Sequence, residues 1–214
     1  MTTRIIHTCR IKYDKSYWDD RLLYASSHKP EDADNMLSDM YRCFKMDYRK
    51  FFKMDTLSKA GFIAAEFLLR DFDREQAKED MGIILFNKSG SLLTDEAYQQ
   101  TIQHQDNYFP SPAVFVYTLP NIVAGEIAIR NKIYGETAFF ILPEYDQYLI
   151  EIMVWKTFCH SDLKYLLAGW VEACKGVLDV RMMLYEAVED EQTSWYHTNI
   201  IYKTFKNILR KWTN

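Results

Sequence analysis

Two short groups of residues in this sequence suggest chemistry by their side-chain types. Cys159 is followed by His160, and a thiol with an imidazole base is a combination used in nucleophilic catalysis. Because adjacent side chains do not face each other on a helix, we expect instead an exposed histidine just past a helix end. Asn87, Ser89 and Ser91 form a polar turn of the kind that can bind phosphate, but no P-loop or Gly-x-Gly-x-x-Gly pattern is present.

A third candidate is Glu144, which follows an apolar stretch ending at Leu142. Pro143 precedes it and Asp146 comes two residues later. Proline suits the first position of a helix and acidic residues suit its first turn, so these residues by themselves predict a strand followed by a helix N-terminus. A carboxylate can also act as a general acid or base, so both interpretations of Glu144 stay open.

The composition indicates a globular protein and excludes several classes. The 214 residues are 48% apolar and 26% charged, and the net charge of −4 gives no electrostatic reason to expect nucleic acid as a partner. The four cysteines are scattered without metal-ligand spacing, so we expect a reduced protein with no metal and no cofactor. Neither a signal-peptide core nor an apolar run of about 20 residues is present, and we expect a cytoplasmic protein.

Apolar strands and amphipathic helices alternate along the sequence, which predicts a single α/β domain over residues 1–214. The clearest helix spans residues 55–69, with Asp55 or Thr56 as its N-cap and an apolar stripe at helical spacing. We predict further helices over residues 34–44, 94–105, 122–130 and 143–158. Strands are predicted over residues 4–11, 82–87, 137–142, 164–170 and 180–188, and we expect the strands at 82–87 and 137–142 to be buried.

Residues 112–146 resemble the N-terminal half of β-ketoacyl synthases, the condensing enzymes of fatty-acid and polyketide synthesis. The shared pattern is Pro-Asn-x-x-Ala-Gly-x-Ile-Ala, which begins here at Pro120 and is followed by Gly135 and a short strand. Weaker similarity covers about residues 45–190, including a Gly-Ile-Ile-Leu strand at 82–85 and Leu-Leu-Ala-Gly-Trp-Val-Glu at 166–172. The resemblance implies a thiolase-like half-fold, with a mixed sheet covered by helices.

The resemblance also implies that the nucleophile has been lost. Counted from Gly135, the position of the family's active-site cysteine falls on Glu144, which we expect to lie in a buried tunnel. A carboxylate cannot take over the acyl group as a thiolate does, and it would repel the developing oxyanion. The family's two catalytic histidines lie in its C-terminal half, and none of the five histidines here stands in a matching sequence context.

We therefore predict a non-catalytic ketosynthase-like subunit or scaffold that acts with a complete synthase or an acyl carrier protein. Full synthases dimerise through the strand that residues 137–142 resemble, so a homodimer or a heterodimer is expected. One alternative is an enzyme that uses Glu144 to decarboxylate or hydrolyse an acyl thioester. Another is an interaction module unrelated to lipids.

The end of the chain, residues 198–214, predicts a basic amphipathic helix. Four cations alternate with its apolar residues: Lys203, Lys206, Arg210 and Lys211. Because acyl carrier proteins are acidic, this helix is a candidate docking surface for one. A membrane surface is a second candidate, and a helix packed on the domain with solvated lysines is the simplest alternative.

Three residues of the family-like segment have structural rather than catalytic interpretations. Gly125 and Gly135 predict close packing or a positive φ. Asn121 predicts a chain corner in which its side chain bonds the backbone.

Overall fold

The computed structural model describes residues 2–103 and 108–188. Its strands are β1 (Thr2–Lys12), β2 (Lys15–Trp18), β3 (Arg21–Ala25), β4 (Met81–Asn87), β5 (Thr137–Ile141), β6 (Tyr165–Cys174) and β7 (Val177–Val188). Its α-helices are α1 (Ala33–Cys43), α2 (Thr56–Leu68), α3 (Leu92–Ile102), α4 (Pro112–Val116), α5 (Ile122–Asn131) and α6 (Gln147–Cys159). Short 3₁₀ helices cover Pro30–Asp32 and Arg49–Lys53.

The strands form one seven-stranded mixed sheet in the order β3-β2-β1-β7-β6-β4-β5. Strands β5, β4 and β6 run parallel, whereas β7 is antiparallel to both β6 and β1. The predicted α/β fold is confirmed. The antiparallel hairpin β2–β3 was not predicted, because its two-residue turn is Asp19-Asp20 rather than a glycine-containing pair.

Alternate residues of the same strands face two different layers. On one side, which we call the three-helix face, α1, α2 and α5 pack against residues such as Ile83 and Leu85 of β4. On the other side, the α6 face, Ile150, Val154 and Phe158 of α6 pack against Ile84, Phe86, Leu166, Ala168 and Trp170. This alternation is the two-residue period of a strand that is buried on both faces.

Helix α2 lies at the centre of the three-helix face, and all but its first residue are buried. The predicted N-cap is confirmed as Asp55, whose carboxylate accepts a hydrogen bond from the Ser58 amide at 2.9 Å. A side-chain cap satisfies one of the amides that a helix N-terminus leaves unpaired. None of the described helices is long and apolar enough to cross a membrane.

Strand β5 differs from the prediction, because it is the edge of the sheet rather than a buried strand. Among the described strands it pairs only with β4, and Phe140 and Ile141 are 37% and 55% exposed. The apolar run of β5 resembles that of β4, but β4 lies between two strands and is buried along its whole length. Burial of these strands therefore follows from their place in the sheet.

The start of α6 also differs from the prediction. The helix begins at Gln147, not at residue 143, and Asp146 is its N-cap, accepting a hydrogen bond from the Leu149 amide at 3.0 Å. An aspartate that accepts this bond is a better cap than a proline-led first turn, so residues 143–146 stay outside the helix. The interpretation of Glu144 as a residue of the first helical turn is therefore wrong.

The two glycines of the family-like segment have different environments. A Cβ at Gly135 would lie 2.2 Å from the Met81 carbonyl oxygen, so close packing is confirmed there. At Gly125 a Cβ would meet nothing within 4 Å, and the prediction of close packing is wrong. Asn121 is the N-cap of α5, but its side chain makes no capping hydrogen bond.

Candidate functional site

The carboxyl ends of the parallel strands bring the sequence-predicted polar residues to one edge of the sheet. The turn at residues 88–91 follows β4, the segment 142–146 follows β5, and β6 ends at Cys174. The Leu142 amide donates to the Asn87 carbonyl oxygen at 2.8 Å, which joins the first two segments. Ligands of open α/β sheets bind at this edge, so the candidate site lies here.

Asn87 holds the turn after β4 in place and is completely buried. Its side-chain amide donates to the Gly90 carbonyl at 2.8 Å, and its oxygen accepts from the Gly90 amide at 3.0 Å. Gly90 has a φ of 58°, a conformation that favours glycine. Because both ends of the Asn87 amide are bonded within the turn, this residue has a structural role.

Glu172, near the end of β6, ties the same turn to the sheet. One of its carboxylate oxygens accepts hydrogen bonds from the Lys88 and Ser89 amides, at 2.7 and 3.2 Å. Its other oxygen and the Ser91 hydroxyl are buried, and neither has a hydrogen-bond partner among the described residues. Sequence reasoning did not single out Glu172, although a charged residue that ends an otherwise apolar strand was a usable signal.

Cys174 is two residues further along β6, on the same side as Glu172. Burial raises the pKa of its thiol, and the Glu172 carboxylate raises it further. A nucleophilic cysteine needs a thiolate, which positive surroundings favour and negative ones disfavour. Cys174 is therefore a poor substitute for a catalytic cysteine.

Glu144 lies exposed in the segment between β5 and α6. The expectation that it occupies a buried tunnel is wrong, because residues 143–146 lie at the surface end of an edge strand. Within the described residues no hydrogen bond or ion pair holds its carboxylate. The chemical role of Glu144 stays a prediction.

A hollow of about 410 Å³ lies beside the N-terminus of α6, over strands β1 and β7. We call it the β1–β7 hollow. Arg181 forms a two-bond ion pair with Asp179, at 2.8 and 3.0 Å, and its guanidinium carbon lies 4.2 Å from the centre of the Tyr145 ring. Hydrogen bonding to Asp179 raises the pKa of Arg181, a side chain that is protonated in proteins in any case.

The β1–β7 hollow can hold a polar group but lacks a reactive nucleophile. Cys9 is among its lining residues, but its fully buried side chain belongs to the three-helix core, and burial raises the pKa of its thiol far above the usual range. The sequence signal for this hollow, a charged pair at alternate positions of β7, was not recognised as functional.

The remaining sequence candidates do not join this site. His160 lies exposed just past the end of α6 and donates from Nδ1 to the Lys156 carbonyl at 2.8 Å, as the sequence predicted. It acts as a helix C-cap and does not pair with Cys159. The four basic residues Lys203, Lys206, Arg210 and Lys211 lie outside the described residues, as does the helix predicted for 198–214.

Comparison with known proteins supports the predicted fold through similarity to solved structures. No protein-family model matches the sequence, and no curated protein matches it. The solved structure of the ishigamide ketosynthase/chain length factor is similar, with a TM-score of 0.63 and 14% identity over 90% of this chain and 64% of that chain. A β-ketoacyl synthase from Burkholderia phymatum gives 0.59 and 13%, over 87% of this chain and 59% of the other.

A third similar structure is a ketosynthase in complex with its chain length factor from Xenorhabdus doucetiae. Its TM-score is 0.55 and its identity 12%, covering 88% of this chain and 80% of that chain. This chain covers 64% of the ishigamide protein and 59% of the Burkholderia protein, which is less than two thirds of either. At such identities the likeness concerns the fold alone, and it confirms the prediction made from residues 112–146. The chain has the thiolase-like fold of the ketosynthases.

Proposed function

We propose that this protein is a non-catalytic ketosynthase-like subunit that works beside a complete synthase or an acyl carrier protein. The observation that carries the proposal is the open, apolar edge of the sheet at β5. Phe140 stacks on Phe86 of β4, with 5.4 Å between ring centres, while its other side stays accessible. An unpaired edge strand with apolar side chains is a template for pairing with another chain.

Two further observations favour this edge as a contact with a synthase. The strand resembles the one through which full synthases dimerise. Similar structures include a ketosynthase bound to its chain length factor and an acyl carrier protein bound to its ketosynthase.

The absence of catalysis rests on the chemistry of the site. Residues 142–146, which follow β5, contain no cysteine. Cys174 is partly buried and Cys9 is fully buried, and desolvation raises the pKa of both thiols. Acyl transfer to a protein thiol needs a thiolate, so these cysteines do not replace the missing nucleophile.

The test is affinity capture of the tagged protein from its own cells, followed by mass spectrometry of the copurifying proteins. We expect a full-length synthase with an intact active-site cysteine, or an acyl carrier protein. Ile141→Lys should abolish the capture of a synthase, because a lysine at this exposed position blocks pairing of the edge. Val177→Lys is the matched control, since Val177 is 42% exposed on a strand of the same sheet and its change should have no effect.

Capture of neither protein, or loss of capture with both lysine variants alike, would count against the proposal. The enzymatic alternative has its own test, in which the purified protein is given a malonyl thioester. Turnover that disappears in Glu144→Gln would replace the subunit proposal with a catalytic function.

A further inference from the structure

His7 lies between two carboxylates that come from separate parts of the chain, and the proposed function does not use it. Its Nδ1 is 2.7 Å from Oδ2 of Asp19, and its Nε2 is 3.3 Å from Oδ2 of Asp71. The imidazole side chain is 17% exposed, whereas those of Asp19 and Asp71 are 33% and 64% exposed. Both ring nitrogens therefore face an acid.

The backbone of β1 places the ring there. A bulge interrupts the pairing of β1 with β7, because Ile5 pairs with Tyr185 and His7 pairs with Leu184. Past this bulge, His7 shares with Cys9 the side of β1 that packs on α2, and Asp71 lies just beyond the end of that helix. Bulges commonly redirect a side chain in this way.

The second acid is held by the β2–β3 turn. Asp19 and Asp20 have φ values of 45° and 61°, so the turn is a tight two-residue connection. The other carboxylate oxygen of Asp19 accepts a hydrogen bond from the Thr8 amide at 2.8 Å. Asp19 is thus fixed to β1 by two bonds, while Asp71 contacts the ring by one longer bond.

Arg70 is a described cation near the His7 ring, from which the Trp18 indole separates it. The Trp18 indole lies tilted against His7, with 5.2 Å between ring centres, and the Arg70 guanidinium lies 4.6 Å from the centre of the indole. Arg70 also approaches Asp71 at 4.0 Å, a weak ion pair between exposed groups. The charged groups around His7 are thus Asp19 and Asp71 at its two nitrogens, and Arg70 beyond Trp18.

We propose that His7 is a pH-sensitive latch that ties the segment after α2 to the β2–β3 turn. Only the imidazolium carries a proton on both nitrogens and can donate to both carboxylates. The neutral ring keeps its proton on Nδ1, because Asp19 is the closer and better held acid. Its Nε2 lone pair then faces the Asp71 carboxylate, and the segment that follows α2 is released.

The direction of the effect follows from the protonation state. The stabilisation belongs to the protonated ring, so it is present at low pH and is lost as the pH rises through the titration of the imidazole. Free histidine side chains change charge near about pH 6.5, so the measurement compares about pH 5.5 with about pH 8.5. Aspartate and arginine are residue types that ordinarily keep their charge across this range, so among His7, Asp19, Asp71 and Arg70 the imidazole is the group of a type that changes.

Hydrogen exchange of the backbone amides of residues 69–78 in the full chain tests this latch. After correction for the intrinsic exchange rates, we expect protection to fall about twofold to fivefold from low to high pH, the factor that one partly exposed ion pair supplies. Asp71→Asn should remove this fall. Asp73→Asn is the matched control, because the Asp73 carboxylate accepts from the Glu75 amide, a bond that asparagine keeps, and it does not contact His7.

The variant His7→Gln provides the second measurement. It should show the low protection of the released state at both pH values, with the rest of the sheet unchanged. Equal protection of the unaltered protein at the two pH values would overturn the proposal. So would a fall that persists in Asp71→Asn or in His7→Gln.

Discussion

The two faces of the sheet are built from alternate residues of the same strands, but different numbers of described helices cover them. On the three-helix face, α1, α2 and α5 cover a continuous apolar core. On the α6 face, one described helix covers β4 and β6, and the β1–β7 hollow with its charged lining lies beside it. Within the described residues, one side of the sheet is therefore a closed core, while the other side and the β5 edge are only partly covered.

The charged groups on the two sides of the sheet differ in how deeply they are buried. On the three-helix side, buried Glu66 accepts from Arg74 at 2.8 Å and from Arg130 at 3.2 Å. Buried Lys78 donates to three backbone carbonyl oxygens, at 2.6 to 2.9 Å. A buried charge is tolerated only with such partners. Beside the α6 face, by contrast, the Arg181–Asp179 pair is partly open to solvent.

The largest expected difference concerns the same substitution, phenylalanine to alanine, made in the three-helix core and at the β5 edge. Phe62→Ala, in α2, removes a fully buried ring that stacks on Tyr48 and should lower the free energy of unfolding by about 3–5 kcal/mol. Phe140→Ala, on the β5 edge, removes a ring that already contacts solvent and should cost less than about 1.5 kcal/mol. Urea denaturation of both variants measures this. Equal losses would mean that the edge is as much a part of the core as α2.

A smaller effect is expected from the buried lysine. Lys78→Met keeps the length of the side chain but leaves three carbonyl oxygens without their donor, and it should cost about 2–3 kcal/mol. Lys132→Met is the matched control, since Lys132 also bonds a carbonyl, that of Glu75, but at the exposed surface. Thermal and urea unfolding should show little change for Lys132→Met. If the two variants behave alike, burial of Lys78 does not contribute to stability.

The smallest effect is expected at the β1–β7 hollow. Arg181→Met removes the ion pair with Asp179 and the contact with the Tyr145 ring, but solvent screens both. We expect a loss of about 1 kcal/mol or less in the free energy of unfolding. A loss comparable to that of Phe62→Ala would show that the hollow belongs to the closed core, and the distinction between the two faces would fail.

Local sequence patterns predicted the elements that depend on neighbouring residues. The helix at 55–69 and the strand at 82–87 were placed within one residue of their observed ends, because a helical stripe with an aspartate cap and a short apolar run are local signals. The Pro120 to Gly135 pattern led to the fold that the solved structures confirm. Among the glycines, however, sequence alone did not separate Gly135, which packs against Met81, from the uncrowded Gly125.

The sequence by itself determined the α/β class, the order of most elements and the absence of a cysteine after β5. Only the tertiary structure decided that β5 is an edge while β4 is central, since their apolar runs are alike and pairing depends on distant strands. It also decided that Asp146 rather than Pro143 begins α6, which leaves Glu144 exposed outside the helix. The acids around His7 were found only in the structure, because Asp19 and Asp71 come from distant parts of the chain.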